Sequence, residues 1–274
     1  MYLYQYENLK VEALSIGGIE NCFVLPEHDI AIDVGRCPER IVNVPVIFLT
    51  HGHLDHSAGL PYYFSQRSLK GKPPGMVYVP VKTAGRLKKI CKLWHKVENF
   101  KYDISIVPIK PKTEIFIKNK YFIRSLSSYH RIESLAYALI RKTTKLKKEY
   151  LKLPGNKIKE LKEQNVDIFE NKEICEAVFS GDTTIEFIKN TPEAKNAKVL
   201  FLECTYIDKK RTVERARKWG HIHLDEIIEN QEIFQNEKIV FSHFSRRYTS
   251  SYIKSVLNKK LPVHLKNKVD MIFF

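Results

Sequence analysis

Cysteine is sparse and scattered: five occur in 274 residues (Cys22, Cys37, Cys91, Cys175, Cys204), an odd number without a Cys-x-x-Cys pair. That argues against a disulfide framework and a zinc ribbon, and it suits a reducing cytosol. Long apolar runs are missing too. No stretch reaches the roughly 18 uncharged apolar residues of a membrane span, and the N-terminal segment carries neither a basic nor an apolar leader region. The expectation is a cytoplasmic protein that is not exported and has no membrane partner. Solenoid-length repeats and low-complexity tracts are absent as well, which excludes a repeat array. Negative charge is short: 31 Asp and Glu face 46 Lys and Arg, a formal charge of +15. An excess of that size points to a polyanionic partner bound through counterion release, although a lysine-rich organism would give the same number.

With 43% of its residues apolar, the chain can bury a sizeable core, read as one domain over residues 1–274 with a single excursion. Apolar runs predict strands over 9–16, 21–25, 30–33 (closed by a turn at Gly35), 44–50 and 76–80. They recur over 114–117, 122–126, 136–140, 176–180 and 199–203. Helical spacing marks 60–69, 83–97 and 249–257. Sheets interleaved with helices make the fold class α/β (α+β). Residues 141–167 break the strand pattern: they hold nine Lys or Arg against four Asp or Glu, with Leu146, Leu151, Leu153, Ile158 and Leu161 spaced between. They read as an inserted basic arm or, equally, as a solvated helical hairpin.

Four candidate ligands fall within six positions at His51-Gly-His53-Leu-Asp55-His56, directly after the apolar run 46–49. Where a strand ends and turns, alternate side chains splay, so that His51 and His53 can face one pocket while Asp55 and His56 face a neighbouring one. Imidazoles with a carboxylate suit zinc or a similar divalent ion. A lone histidine is more often structural, but four ligand-type side chains at this spacing are poorly explained by chance.

The motif resembles the His-x-His-x-Asp-His signature of the metallo-β-lactamase superfamily. That resemblance implies an αββα sandwich and three further ligands, each after a strand-like segment: His130 in Ser128-Tyr-His-Arg, Asp182 in Ser180-Gly-Asp-Thr-Thr, and His243 in Phe241-Ser-His-Phe. By it, His51, His53 and His130 bind one cation and Asp55, His56 and His243 the other, with Asp182 bridging. The two divalent ions would be Zn2+, with Mn2+ as the alternative.

Narrower features resemble the ribonuclease Z family, in its short form. They are His243-Phe-Ser-Arg-Arg-Tyr248 for its His-Phe-Ser-x-Arg-Tyr motif, Lys218-Trp-Gly-His221 for its Gly-His loop, and His130-x-x-x-Ser134-x-x-Tyr137 for a further pattern. The basic segment 145–155 sits where that family carries a protruding arm that grips tRNA, and the likeness runs from residue 16 to 252. There are departures. Ala136 takes the place of a usual Gly, the Gly-His loop continues Ile222-His223-Leu in place of Ser-Thr-Ala, and no N-terminal Pro-x-Lys-x-Arg-Asn motif is present.

The resemblance implies a homodimeric endonuclease that cuts the 3′ trailer from precursor tRNA, leaving a 3′-hydroxyl on the tRNA and a 5′-phosphate on the trailer. It implies that Asp55 takes a proton from the attacking water as well as binding metal. It implies also that Glu203, in Leu202-Glu-Cys-Thr205, pairs with His221 as the acid for the leaving oxygen, with His223 a competitor for that place. Arg247 is a candidate phosphate contact because a guanidinium forks onto two oxygens; Lys145, Lys147, Lys148 and Lys152 are candidate RNA contacts on the arm.

Two other readings compete. One is a phosphodiesterase or small-molecule hydrolase of the same superfamily, which would have no need of a basic arm. The other is an RNA-binding protein without catalysis, which would have no need of seven intact ligands. Of the remaining histidines, His28 and His264 read as surface or loop groups and His95, beside Trp94, as a packing residue.

Overall fold

The computed structural model describes residues 1–273. Two seven-stranded sheets carry the fold, each with its strands side by side in chain order. The first holds β1 (Tyr2–Tyr6), β2 (Leu9–Ile16), β3 (Glu20–Leu25), β4 (Ile30–Ile32), β5 (Val46–Phe48), β6 (Met76–Pro80) and β7 (Ser105–Ile109). The second holds β8 (Glu114–Lys118), β9 (Tyr121–Ser127), β10 (Leu135–Leu146), β11 (Phe169–Phe179), β12 (Val199–Glu203), β13 (Lys238–Ser242) and β14 (Val269–Met271). In both, the first three pairings are antiparallel and the last three parallel. The chain is therefore two halves of like topology, a duplication that no sequence repeat betrays.

Burial follows the sequence pattern. Along β2, Leu9, Val11 and Ala13 are buried and alternate with more exposed residues, the period-2 sign of a strand with one covered face. Every residue of β12 is buried, as expected of a central strand covered on both faces. One core fills the space between the sheets, with Phe48, Tyr137, Phe179 and Phe201 in it. A second joins the first sheet to its helices through Ile47, Leu60 and Phe64, and a third joins the second sheet to its helices through Leu200, Ile227 and Ile253. The layers are those of an αββα sandwich. The predicted helices form as Leu60–Leu69, Val81–Glu98 and Ser250–Lys260. No helix among the described residues is long and apolar enough to cross a membrane.

Two expectations need correction. Residues 141–167 do not break the strand pattern but begin by extending it, since β10 and β11 stay paired from Tyr137↔Phe179 out to Leu146↔Phe169. The outer half of this ribbon pairs Lys142 with Glu173 and Lys145 with Glu170, so it has no apolar period to read. The helix Gly155–Glu163, with no buried residue, lies between the two strands. His28 is the second: it is half-buried, with its ring 4.4 Å from that of Tyr121. His264 is exposed, and His95 packs edge-on against Tyr102.

Candidate metal centre

The segments that follow β4, β5, β11, β12 and β13 meet at one edge of the sandwich, the end of an α/β sheet where sites are usually built. After β5 the chain turns through His51-Gly52-His53 and enters a helical turn, Leu54–Ser57. His51 and His53 thus come from extended backbone, as expected. Asp55 and His56 are aimed by the helical turn, where neighbours point about 100° apart, and not by strand alternation.

Around one position, His51 Nε2 lies 3.1 Å and His130 Nε2 3.2 Å from His53 Nδ1, with Asp182 Oδ2 3.6 Å from His51 Nε2. Around a second, His243 Nε2 lies 3.3 Å from both Asp55 Oδ2 and Asp182 Oδ1, and His56 Nε2 is 3.3 Å from Asp182 Oδ1. Asp182 turns one oxygen to each group, the placement a bridging carboxylate requires. Donors about 2.0–2.1 Å from a tetrahedral zinc ion stand roughly 3.3 Å apart, close to the spacings found. His56 Nε2 and Asp182 Oδ1 are also buried without a hydrogen-bond partner, an arrangement costly in an empty core and natural around a cation. The donor set fits two divalent cations.

The other ring nitrogens are tied down. His56 Nδ1 is 2.6 Å from Asp33 Oδ2, His130 Nδ1 is 2.7 Å from the Gly220 carbonyl, and His243 Nδ1 is 2.9 Å from the Thr205 hydroxyl. Such partners fix ring orientation and leave Nε2 for a metal. Gly220 can make its contact because a Cβ there would stand 2.6 Å from His130 Nδ1, and its φ is +75°. Asp33 escaped the sequence reading. It is fully buried, accepts from the Thr50 N–H (2.7 Å) and the Thr50 hydroxyl (2.9 Å), and holds a left-handed φ of 60°. Its only signal is a carboxylate closing an otherwise apolar run. His243, with φ 57°, is likewise held in a conformation that non-glycine residues enter at a cost.

Charge reinforces the geometry. Burial, together with the charge of His56, holds His51 well below its ordinary value, and burial lowers His53 and His130 as well. All three favour the neutral form that binds metal. Burial opposes the charge of Asp182, but His243 and His56 outweigh it and hold this carboxyl well below the usual range. Burial also opposes the charged form of His56, yet Asp182 and Asp33 raise it.

Beside the donors, Glu203 Oε1 accepts from His221 Nδ1 at 2.9 Å, and His221 Nδ1 is 3.9 Å from Asp182 Oδ2. Burial disfavours a charged His221, but Glu203 overrides it and raises the imidazole to about 9. Glu203 is itself held by the N–H groups of Thr183 and Thr205 and the Thr205 hydroxyl. His223 points elsewhere: it is buried, its Nδ1 accepts from the Asp225 N–H, and it forms a capping box with Glu226 on the helix Leu224–Glu229. Arg247 is exposed and lines a cavity of about 420 Å3 over the donors, with Gly18, Asp55, Tyr206, His221 and Arg246. The arm lysines are not brought there. Lys145, Lys148 and Lys152 are exposed on the extension, and Lys147 pairs with Asp167 at 2.8 Å.

An αββα sandwich that gathers five histidines and two aspartates at the carboxyl ends of its strands defines a hydrolase of the metallo-β-lactamase fold. Solved structures agree on the fold. The metallo-beta-lactamase fold protein YhfI from Bacillus subtilis superposes with a TM-score of 0.65 at 13% identity, over 97% of each chain. Human tRNase Z, short form, gives 0.61 at 17% identity, over 96% of this chain and 95% of that one. No family model matches the chain. In sequence it is 36% identical to tRNase Z TRZ1 of Arabidopsis thaliana over 267 residues, 97% of this chain and 95% of that protein. It is 31% identical to the chloroplastic tRNase Z TRZ2 of the same plant over 257 residues, 93% and 73%. The chain belongs to the ribonuclease Z family.

Proposed function

We propose that the chain is a zinc-dependent endoribonuclease that removes the 3′ trailer from precursor tRNA, leaving a 3′-hydroxyl on the tRNA and a 5′-phosphate on the trailer. The observation that carries this reading is the His221–Glu203 pair standing directly against the two donor groups bridged by Asp182. Metal chemistry and a proton donor are thereby in one cavity. Relatives named tRNase Z support the substrate. Five imidazoles with two carboxylates suit zinc, and manganese is the second ion to try.

Cations held by these seven residues would supply Lewis acidity at the phosphate and would acidify water at the site. Asp55 takes the proton that the attacking water gives up, its Oδ2 held by the Gly18 N–H at 2.8 Å. His221, with Nδ1 committed to Glu203, presents Nε2 to the leaving 3′-oxygen and protonates it. Arg247 reaches across the cavity to a non-bridging phosphate oxygen.

Residues 141–167 serve as the tRNA grip, and the partner copy in a homodimer supplies the complement. Two features support this. First, β10 starts beside the metal motif, where the Leu135 N–H donates to the Thr50 carbonyl, and runs away from it for 12 residues. At about 3.3 Å per residue the arm leaves the sheet roughly 20 Å along this strand and its strand ends, at Leu146, roughly 36 Å along it, so RNA held there suits the centre of another copy. Second, the helix Val81–Glu98 buries Ala84, Leu87 and Cys91 on one face but leaves Ile90, Leu93, Trp94 and Val97 exposed at helical spacing on another. Such a stripe needs a partner. The free cysteines support a reducing compartment, taken here as the cytoplasm.

The test is incubation with a 3′-extended precursor tRNA and with mature tRNA, with and without chelator, followed by sizing. Release of a trailer that stops with chelator and resumes with zinc is the expected result. An uncut precursor in the presence of zinc or manganese contradicts the reading.

A further inference from the structure

The cavity over the metal donors does not end at Arg247. The same residue also lines a second cavity, of about 450 Å3, walled by Lys210, Arg211, Tyr248 and Tyr252 with Asp208 at its base. Its chemistry differs from that of the first. Tyr248 and Tyr252 stack with ring centroids 5.7 Å apart, and Tyr252 is 40% exposed. The one carboxylate is fully engaged: Asp208 accepts from the Tyr248 hydroxyl at 3.2 Å, from the Tyr252 hydroxyl at 3.0 Å and from the Lys210 N–H at 3.0 Å. The aromatic pair is thereby clamped in place, and three cations, Lys210, Arg211 and Arg247, outnumber this one carboxylate in the lining.

Three cations around an open aromatic surface match the needs of one nucleotide: a face for the base and guanidinium or ammonium groups for its phosphate. A bare phosphate would leave most of 450 Å3 and the tyrosine surface unused. Base-paired RNA would not fit, since a duplex keeps its bases stacked on each other.

We infer that this second cavity is a subsite for a single unpaired nucleotide immediately flanking the scissile phosphate, its base stacked on Tyr252 and its phosphate held by Arg211 and Lys210. Arg247, common to both cavities, then spans two consecutive phosphates and sets which bond lies over the metal donors. The inference rests on the proposed cleavage of precursor tRNA. The nucleotide can come from either side of the cut, the last one kept by the tRNA or the first of the trailer, and the test separates the two.

Precursor cleavage is measured for the wild-type chain, Tyr252→Ala and Tyr252→Phe, with bound metal and thermal midpoint as controls for folding. Loss of a base–aromatic stack predicts a fall in kcat/KM of roughly 5- to 100-fold for Tyr252→Ala, while Tyr252→Phe, which keeps the ring, stays within about twofold. Two further precursors carry an abasic site, one at the last retained nucleotide and one at the first trailer nucleotide. On the substrate whose missing base belongs in the cavity, the wild-type rate drops and Tyr252→Ala costs nothing more, as a shared contact requires; the other substrate keeps its sensitivity to Tyr252. Equal cleavage of the intact precursor by the wild-type chain and Tyr252→Ala overturns the subsite alone, as does a Tyr252→Ala defect that persists on both abasic substrates. Failure of the wild-type chain to cut any precursor overturns the proposed function, and this inference with it.

Discussion

His221 Nδ1 donates to Glu203 Oε1 at 2.9 Å, and on that bond rests the proposal that His221, and not His223, acts on substrate. The bond fixes the proton on Nδ1 and turns Nε2 outward. His221→Ala is expected to retain both cations and tRNA affinity while slowing cleavage roughly 10²- to 10⁴-fold, the range for lost acid–base help. A phosphodiester with a nitrophenolate leaving group, which departs without protonation, loses far less. His223→Ala is expected to cost about 1 kcal/mol through the lost helix cap and to leave the chemistry intact; a selective defect in His223→Ala would reverse the assignment. Glu203→Gln is the poorer probe, because Glu203 also accepts from Thr183 and Thr205 and an amide donor there clashes with them.

Metal content is the second expectation. Reconstituted wild-type chain is expected to hold two ions, and Asp182→Ala to lose both or nearly so because it removes the carboxylate that turns one oxygen to each group. Asp33→Asn leaves all seven ligands in place but disturbs the 2.6 Å contact to His56. Its second ion should bind 10- to 100-fold more weakly, the usual cost of losing such a supporting partner. Chelator competition checks this, and wild-type affinity in Asp33→Asn would show that Asp33 only braces Thr50.

How far the site could be read from sequence depended on how locally its parts are encoded. His51, His53, Asp55 and His56 are legible because they lie within six positions, and strands such as Leu9–Ile16 and Val199–Glu203 have the predicted bounds because their apolar patterns are uninterrupted. Asp33 was missed because its partners, Thr50 and His56, are 17 and 23 residues away, and a lone carboxylate after a strand announces nothing. The edge strands β1 and β7 were missed for another reason. β1 is mostly exposed, and β7 carries Pro108, which an edge tolerates and a pattern search penalises. The duplicated topology is invisible for the same reason that the fold is robust: backbone pairing, not residue identity, is what the halves share.

The arm can be removed at a natural joint. Thr144 and Asn171 face each other across the ribbon, so replacing residues 145–170 with a short Gly-Ser turn closes it without disturbing the sheet. Hydrolysis of a small chromogenic phosphodiester should be unchanged, while precursor-tRNA cleavage falls at least about tenfold and its salt dependence flattens as phosphate contacts are lost. Tight, salt-sensitive tRNA binding by the shortened chain would place the grip elsewhere.

The exposed stripe on Val81–Glu98 makes its own prediction. Leu93→Glu or Trp94→Glu puts a carboxylate into an apolar contact and should convert a dimer to a monomer by sedimentation, with bound metal unchanged. An unaltered sedimentation coefficient would remove that helix from the interface.

The end groups of the two products test the account most directly. Cleavage by activated water, with His221 protonating the leaving oxygen, predicts tRNA with a 3′-hydroxyl and a trailer with a 5′-phosphate, both readable by end-labelling with and without phosphatase. A 2′,3′-cyclic phosphate on the tRNA and a 5′-hydroxyl on the trailer would mean that the ribose 2′-oxygen attacks, and would contradict the roles given to Asp55 and His221 together.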